Sequence, residues 1–273
     1  MGRTTELFEK TLRSALSSEA SGFFRFRIDE ALPSTNATLK EDARAGEKEG
    51  LVRIALSQTH GTGRLGRSFY SPRGAGLYMS FLLRPEISSA DARYLTPCAA
   101  VAVSRALETV SGKPNGIKWV NDIYMEDKKV SGILTEAGIS LDGTKLSWAV
   151  VGIGVDLYPP DEGFPAELRD LVGTVFEKKP VSDPRPVLAA KILSEFLFLW
   201  NDKTRAWMRE YREKSVLDGK RVLVRHAGSN ETEEIPATAL EILWDGSLLV
   251  RYDDGQEETL SSGEVARPSV HIK

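Results

Sequence analysis

The 273-residue chain has one cysteine and three histidines, and these shortages exclude a good deal of chemistry. A lone Cys98 forms no intramolecular disulfide. Set in Leu95-Thr96-Pro97-Cys98-Ala99-Ala100, it reads as an inert thiol on an apolar helix face, in a reducing compartment. His60, His226 and His271 are far apart, and no Cys/His spacing matches a zinc site. A GxSxG nucleophile elbow is missing as well. No apolar run reaches the length of a membrane span, and the first residues carry Arg3, Glu6, Glu9 and Lys10 where a signal peptide would be hydrophobic. The expected location is the cytoplasm. Excess positive charge is also lacking: 36 Lys and Arg against 39 Asp and Glu give a net charge of −3, so no global field draws the chain to nucleic acid. Cations can matter only where they cluster. The remaining composition is that of an ordinary globular protein, long enough for one large domain and a small one.

One cluster stands out. Gln58 to Pro72 reads Gln-Thr-His-Gly-Thr-Gly-Arg-Leu-Gly-Arg-Ser-Phe-Tyr-Ser-Pro, after an apolar strand-like run, Leu51 to Leu56. Its Gly61 to Gly66 fits GxGxxG, but that fingerprint needs a helix to open at the last glycine. Pro72, Gly74 and Gly76 follow instead, and Leu77 to Leu83 reads as another strand. The segment is therefore a long loop between strands. Its glycines permit close backbone approach, and Arg64 and Arg67 offer charged forks for carboxylate or phosphate. A mobile surface loop with solvated arginines fits the same residues.

Around it, one amphipathic helix is expected over 4–18, too little for a helix-turn-helix head, then a strand over 23–28. Ser34-Thr35-Asn36 precedes a short helix over 37–45 and reads as an N-cap or as a polar ligand cradle. A scaffold helix is expected over 88–111, closed by Gly112. Residues 117–136 read as strands in a hairpin, with Lys118 and Lys129 either solvated cations or aimed at an anion, and Asn121-Asp122 as turn chemistry or ligand contacts. A turn at 141–143 leads to the apolar strand 146–156, where Gly152 and Gly154 lie on one face and make either a slot or a bulge. After the proline-interrupted stretch 159–186, a helix over 185–213 is expected. Short strands at 221–225, 235–244, 247–252 and 256–260 then suggest a small β-barrel.

Taken in order, Ser34-Thr35-Asn36, the loop 58–72, Lys118-Trp119-Val120-Asn121-Asp122, Lys129-Val130-Ser131-Gly132-Ile133-Leu134 and Val151-Gly152-Ile153-Gly154-Val155 closely resemble the biotin protein ligases. These enzymes attach biotin to biotin-dependent carboxylases. The resemblance covers nearly the whole chain from Ser34, and is to the monofunctional subgroup without an N-terminal DNA-binding domain. It implies an α+β fold: a class II synthetase-like mixed β-sheet with helices packed on one side, over 1–215, and a small Src-homology-like β-barrel over 216–273.

The implied reaction joins biotin and ATP into biotinyl-5′-AMP, then transfers biotin to a lysine of a biotin carboxyl carrier protein or the carrier domain of acetyl-CoA carboxylase. Biotin would lie among Ser34, Thr35, Asn36, Gln58, Gly61, Thr62, Gly63, Arg64, Lys129, Gly132, Gly152 and Gly154, with the two last glycines flanking its rings. ATP would take Arg64, Arg67, Lys118, Asn121, Asp122 and Asp156, with Mg²⁺ on the phosphates and Asp156 as its protein ligand. The catalytic cations would be Lys129, Arg64 and Lys118. The sequence departs from the family at Thr62, where a basic residue is common, at Phe69, where tryptophan is frequent, and at Asp156, where asparagine is common. Homodimerisation is open, and no specific DNA or membrane partner is expected. The alternatives are a lipoate or octanoate ligase-transferase of the same fold, whose loop lacks this Gly-Arg pattern, and a non-catalytic biotin-binding adaptor.

Overall fold

Alternation along one strand divides the molecule. The structure, a computed structural model, describes residues 3–226 and 234–266; His271 and the end of the expected 216–273 domain lie outside the described residues. Strand β3 (Gly76–Leu83) is buried along its whole length. Its Leu77, Met79, Phe81 and Leu83 join the main apolar core, whereas Leu82 belongs to a second, smaller cluster. Side chains in a strand alternate between faces, so β3 serves a core on one side and something else on the other.

The sheet that contains it has the order β1-β2-β3-β7-β6-β5-β4. Its other strands are β1 (Arg25–Asp29), β2 (Leu51–Ala55), β4 (Gly116–Lys118), β5 (Asp122–Met125), β6 (Lys128–Ile139) and β7 (Leu146–Asp156). Only β1 and β2 run parallel; the remaining pairs are antiparallel. Helices α4 (Leu95–Ser111) and α5 (Arg185–Asn201) supply Cys98, Ala102, Leu188, Ile192 and Phe196 to the main core. Helix α1 (Arg3–Ala15) adds Phe8 and Leu12. The opposite face is covered over β2, β3 and β7 by the short α3 (Thr35–Arg44), whose Leu39 and Ala43 meet Leu51, Leu82 and Val150. Beyond the start of α3 that face is open, and the site lies there.

Several local readings change. The expected helix 4–18 is two helices, α1 and α2 (Ser18–Phe23), because extended Ser17 breaks the first and caps the second, accepting from Ala20 N at 3.2 Å. Both pack against α5, to which Ser17 N is bonded through Ser194 Oγ at 3.0 Å. Strand β1 therefore starts at Arg25, two residues later than expected. The expected helix 185–213 ends at Asn201 and resumes as α6 (Met208–Glu213). Asp202 makes the break: it is extended, and its carboxylate draws the N–H groups of Thr204 and Ala206 out of the helical ladder. Residues 116–125 fold back on themselves as β4 and β5, with the Trp119–Val120 peptide cis at the bend.

Strands β8 (Arg221–Arg225), β9 (Ile235–Ile242), β10 (Leu248–Tyr252) and β11 (Glu257–Leu260) appear as expected. A fifth, β12 (Glu264–Ala266), does not follow from the sequence reading. Together they form the small antiparallel sheet, order β11-β10-β9-β8-β12. It is anchored by Trp119 Nε1 donating to Gly246 O at 2.8 Å, and by Arg212 Nε donating to Ile242 O at 2.5 Å. Among the described residues no helix is long and apolar enough to cross a membrane.

Candidate active site

The floor of the site is the uncovered face of β6 and β7. Alternation sends Val151, Ile153 and Val155 into the core and Gly152, Gly154 and Asp156 the other way, with Gly132 of β6 directly beside Gly154. Gly152 and Gly154 are required by what lies on them, and Gly132 is closely covered. A Cβ on Gly152 would sit 2.0 Å from Asn36 Oδ1, and one on Gly154 2.5 Å from Phe69 Cε1. One on Gly132 would sit 3.2 Å from both Lys129 Cε and Nζ. The slot expected from the glycine spacing therefore exists, and it seats an amide, an aromatic ring and the aliphatic stem of a lysine.

Ser34, Thr35 and Asn36 divide the labour that the sequence left ambiguous. Ser34 alone caps α3, through a long contact of 3.4 Å from Ala37 N. Thr35 and Asn36, both buried, reach into the site. Thr35 N donates to Gln58 Oε1 at 2.8 Å, and Gln58 Nε2 donates to Ser71 Oγ at 2.9 Å. Asn36 Nδ2 donates to Leu134 O at 3.1 Å and to Glu136 Oε2 at 3.0 Å, and Ser80 Oγ lies 2.5 Å from its Oδ1. Asn36 thus has both amide hydrogens committed, whereas the Ser34 hydroxyl hydrogen and one Gln58 amide hydrogen stay available to a ligand.

The loop 58–72 forms the roof. A single 3₁₀ turn at Arg64–Gly66 replaces the helix a dinucleotide fingerprint would need, with Leu65 in the left-handed region at φ 54° and exposed. Arg64 donates to Asn121 Oδ1 and to Gly263 O, both at 3.2 Å, and Arg67 donates to Glu264 Oε2 at 2.5 Å. Arg225 also reaches Glu264, at 3.2 Å. The roof is therefore tied to β12, the strand the sequence did not announce.

Two adjoining cavities lie beneath it. The first, about 140 Å³, is lined by every residue expected around biotin except Gly61. Gly61 is instead where the loop closes on itself: a Cβ there would meet Phe69 O at 2.3 Å and Ser71 Oγ at 2.6 Å, and its own carbonyl accepts from Phe69 N at 2.8 Å. The second cavity, about 460 Å³, is lined by all the residues expected around ATP. Lys129 and Arg64 line both cavities, and Lys118 only the second, with its Nζ 5.8 Å from the centre of the Tyr124 ring. Lys129 Nζ is paired with Asp122 Oδ1 at 2.8 Å, an oxygen that Asn121 Nδ2 also approaches at 2.9 Å.

Asp156 is buried against the second cavity, and that burial pushes its carboxyl up to about 8, against the pull of the nearby Lys129 ammonium. Among the described residues no three His, Cys, Asp or Glu side chains are grouped to hold a metal. Asp122 and Asp156 do not build a protein-held metal centre. They suit a cation that arrives on phosphate oxygens and needs only one or two carboxylates.

The sequence reading missed several contributors. Phe164, Leu168 and Leu171 from the proline-interrupted stretch, with Leu223 and Val265 from the small sheet, make apolar walls for the second cavity. Proline and loop spacing gave no sign of them. Ser80 and Glu136, which hold Asn36, were invisible because an isolated polar residue in a strand carries no pattern; Ser71, which holds Gln58, lies in the loop 58–72 and reads only as part of it.

Residues 29–156 match the biotin/lipoate A/B protein ligase family. The chain is 32% identical over 203 residues to the bifunctional ligase/repressor BirA of Bacillus spizizenii, covering 74% of this chain and 60% of that protein. It is 26% identical over 275 residues to the biotin–[acetyl-CoA-carboxylase] ligase of Mycobacterium tuberculosis, covering 98% and 96%. The chain spans about half the length of the bifunctional relatives it matches. Its fold is similar to that of the Aquifex aeolicus biotin protein ligase in complex with biotin and ATP, with a TM-score of 0.70, 28% identity, and 89% and 97% of the two chains covered.

Proposed function

We propose that this chain, whose residues 29–156 match the biotin/lipoate A/B protein ligase family, is a biotin protein ligase. In this reading a biotin carboxylate oxygen attacks the α-phosphorus of ATP, pyrophosphate leaves, and biotinyl-5′-AMP is held until a lysine amine of a carrier domain attacks the acyl carbon. That amine loses a proton, and AMP leaves. The observation that carries the reading is the position of Lys129, on the wall common to a small polar cavity and a larger cationic one. The similar structure that holds biotin and ATP supports it.

The chain's own groups suit each requirement. The Ser34 hydroxyl and the spare Gln58 amide hydrogen offer donors to the ureido oxygen of biotin, replacing water on a buried polar group. Lys129 leaves part of its interaction with Asp122 to meet the charge that grows where carboxylate and α-phosphate join. Arg64, Arg67 and Lys118 neutralise the triphosphate, and the two arginines exchange Gly263 and Glu264 for phosphate oxygens. The apolar walls from Phe164, Leu171, Leu223 and Val265 suit a purine. Mg²⁺ bound on the triphosphate would find Asp122 and, on loss of its proton, Asp156 as protein ligands and would lower the charge of the phosphates. With the molecule divided at 215/216, the nucleotide wall is shared between a catalytic and a small domain.

Incubating the protein with biotin, Mg·ATP and a biotin carrier domain, then weighing the carrier by mass spectrometry, tests the proposal. One biotinyl group should appear on one lysine, with pyrophosphate released. An unmodified carrier without pyrophosphate, or modification by lipoate in preference to biotin, would overturn it.

A further inference from the structure

Ser80 lies in the middle of β3, fully buried, and lines neither cavity. Its Oγ is 2.7 Å from Thr35 Oγ1 and 2.5 Å from Asn36 Oδ1, yet a serine hydroxyl has one proton. Which neighbour receives it is decided from outside the pair. The Asn36 amide nitrogen is held between Leu134 O and the Glu136 carboxylate, itself paired with Lys40 Nζ at 2.6 Å. The amide cannot be flipped without setting its oxygen against two acceptors. Asn36 Oδ1 therefore faces Ser80 and has no proton to give.

The Ser80 proton must lie toward Asn36, because otherwise two oxygens at 2.5 Å would share no hydrogen. The Ser80–Thr35 contact is then closed by the Thr35 proton. Gln58 Oε1 loses little, since Thr35 N serves it at 2.8 Å and the Thr35 hydroxyl stands farther off, at 3.2 Å. Thr35 lines the first cavity, and with its proton turned inward it shows that cavity only lone pairs.

We propose that Ser80 is a positioning residue that fixes Thr35 as a hydrogen-bond acceptor toward the first cavity, so that the cavity selects a ring bearing N–H at that point. The inference rests on the biotin reading and deepens it: the selected feature is a ureido N–H, distinct from the ureido oxygen that Ser34 and Gln58 serve. Removing the Ser80 hydroxyl frees the Thr35 proton to turn toward Gln58 or the ligand, and the cavity loses its preference at that position.

The test is the affinity of two ligands for the intact protein, measured by calorimetry. Desthiobiotin keeps the ureido ring; its cyclic-carbonate isostere has oxygen in place of both N–H groups and offers only acceptors. Wild-type protein should prefer desthiobiotin. Ser80→Ala should shrink that preference by about tenfold or more, the scale of one hydrogen bond lost and one lone-pair clash relieved, while ATP affinity stays unchanged. An undiminished preference in Ser80→Ala overturns the inference. So does a parallel loss of affinity for both ligands and ATP, which would mark Ser80 as merely structural. Wild-type protein that binds neither ligand but does bind ATP overturns the biotin reading, and the assignment with it.

Discussion

Asp156 is an acid held in its neutral form by burial, and this gives it a pH signature. Its usual carboxylate value of 3.8 is raised to about 8 in the folded chain. Between those values the folded state binds more protons than the unfolded state, so this group's contribution to stability is complete at low pH and is lost as pH rises through about 8. Asp156→Asn lacks the dependence. Its thermal midpoint should gain on wild type as pH is raised from 5 to about 8 and then hold a constant difference; a difference independent of pH across scanning calorimetry runs would show that Asp156 is already ionised when folded. Lys129→Ala is different in kind, since the charge is removed from both cavities at once. Adenylation, followed by pyrophosphate release, should slow by about 10²–10³-fold, and the fold should persist because the lysine is only partly buried. At this scale much of the site was legible. Glycines two apart and cations beside them are functional groups that declare themselves. Ser80 and Glu136 act only by constraining other side chains, so no local pattern distinguishes them from ordinary strand residues.

At the scale of elements, the loop 58–72 is the informative case. Its arginines are bound to Asn121, Gly263 and Glu264. The Arg67 side chain is 60% exposed and that of Glu264 18%, so the ion pair adds at most about 1 kcal/mol to stability. Glu264→Gln should therefore leave the denaturation midpoint nearly unchanged while hydrogen exchange over residues 61–69 quickens several-fold. Equal protection in the two proteins would show that the roof is held by its backbone alone. Helix boundaries were the least legible feature. The apolar stripe of 185–213 runs through a real break, because Trp207 and Tyr211 are buried in their own right while Asp202 and Thr204 turn the backbone between the two helices. Periodicity records which residues are buried, and an Asx turn can reset the axis without disturbing it.

For the whole molecule, the two-sheet plan followed from where short, turn-punctuated strands replaced long helices. How the sheets meet did not, because contacts such as Trp119 with Gly246 and Arg64 with Gly263 join residues more than a hundred positions apart. Trp119→Phe keeps an aromatic ring but removes the pyrrole half of the indole and with it the donor to Gly246 O. It should cost about 1–2 kcal/mol by urea denaturation, and should raise the KM for ATP more than that for biotin, since the small sheet gives the nucleotide side Leu223, Arg225, Glu264, Val265 and Ala266 but the first cavity Glu264 alone. Equal changes in both constants would show that the sheet supports the two cavities alike.

Strand β7 is hydrogen-bonded on both edges, by β3 and by β6. The glycine floor can therefore open only if the large sheet itself comes apart, whereas the tip of the arginine loop is fastened by the side chains of Arg64 and Arg67. Side-chain changes should therefore be absorbed more readily in the ceiling than in the pavement beneath it, where even a methyl group on Gly152 or Gly154 would strike Asn36 or Phe69.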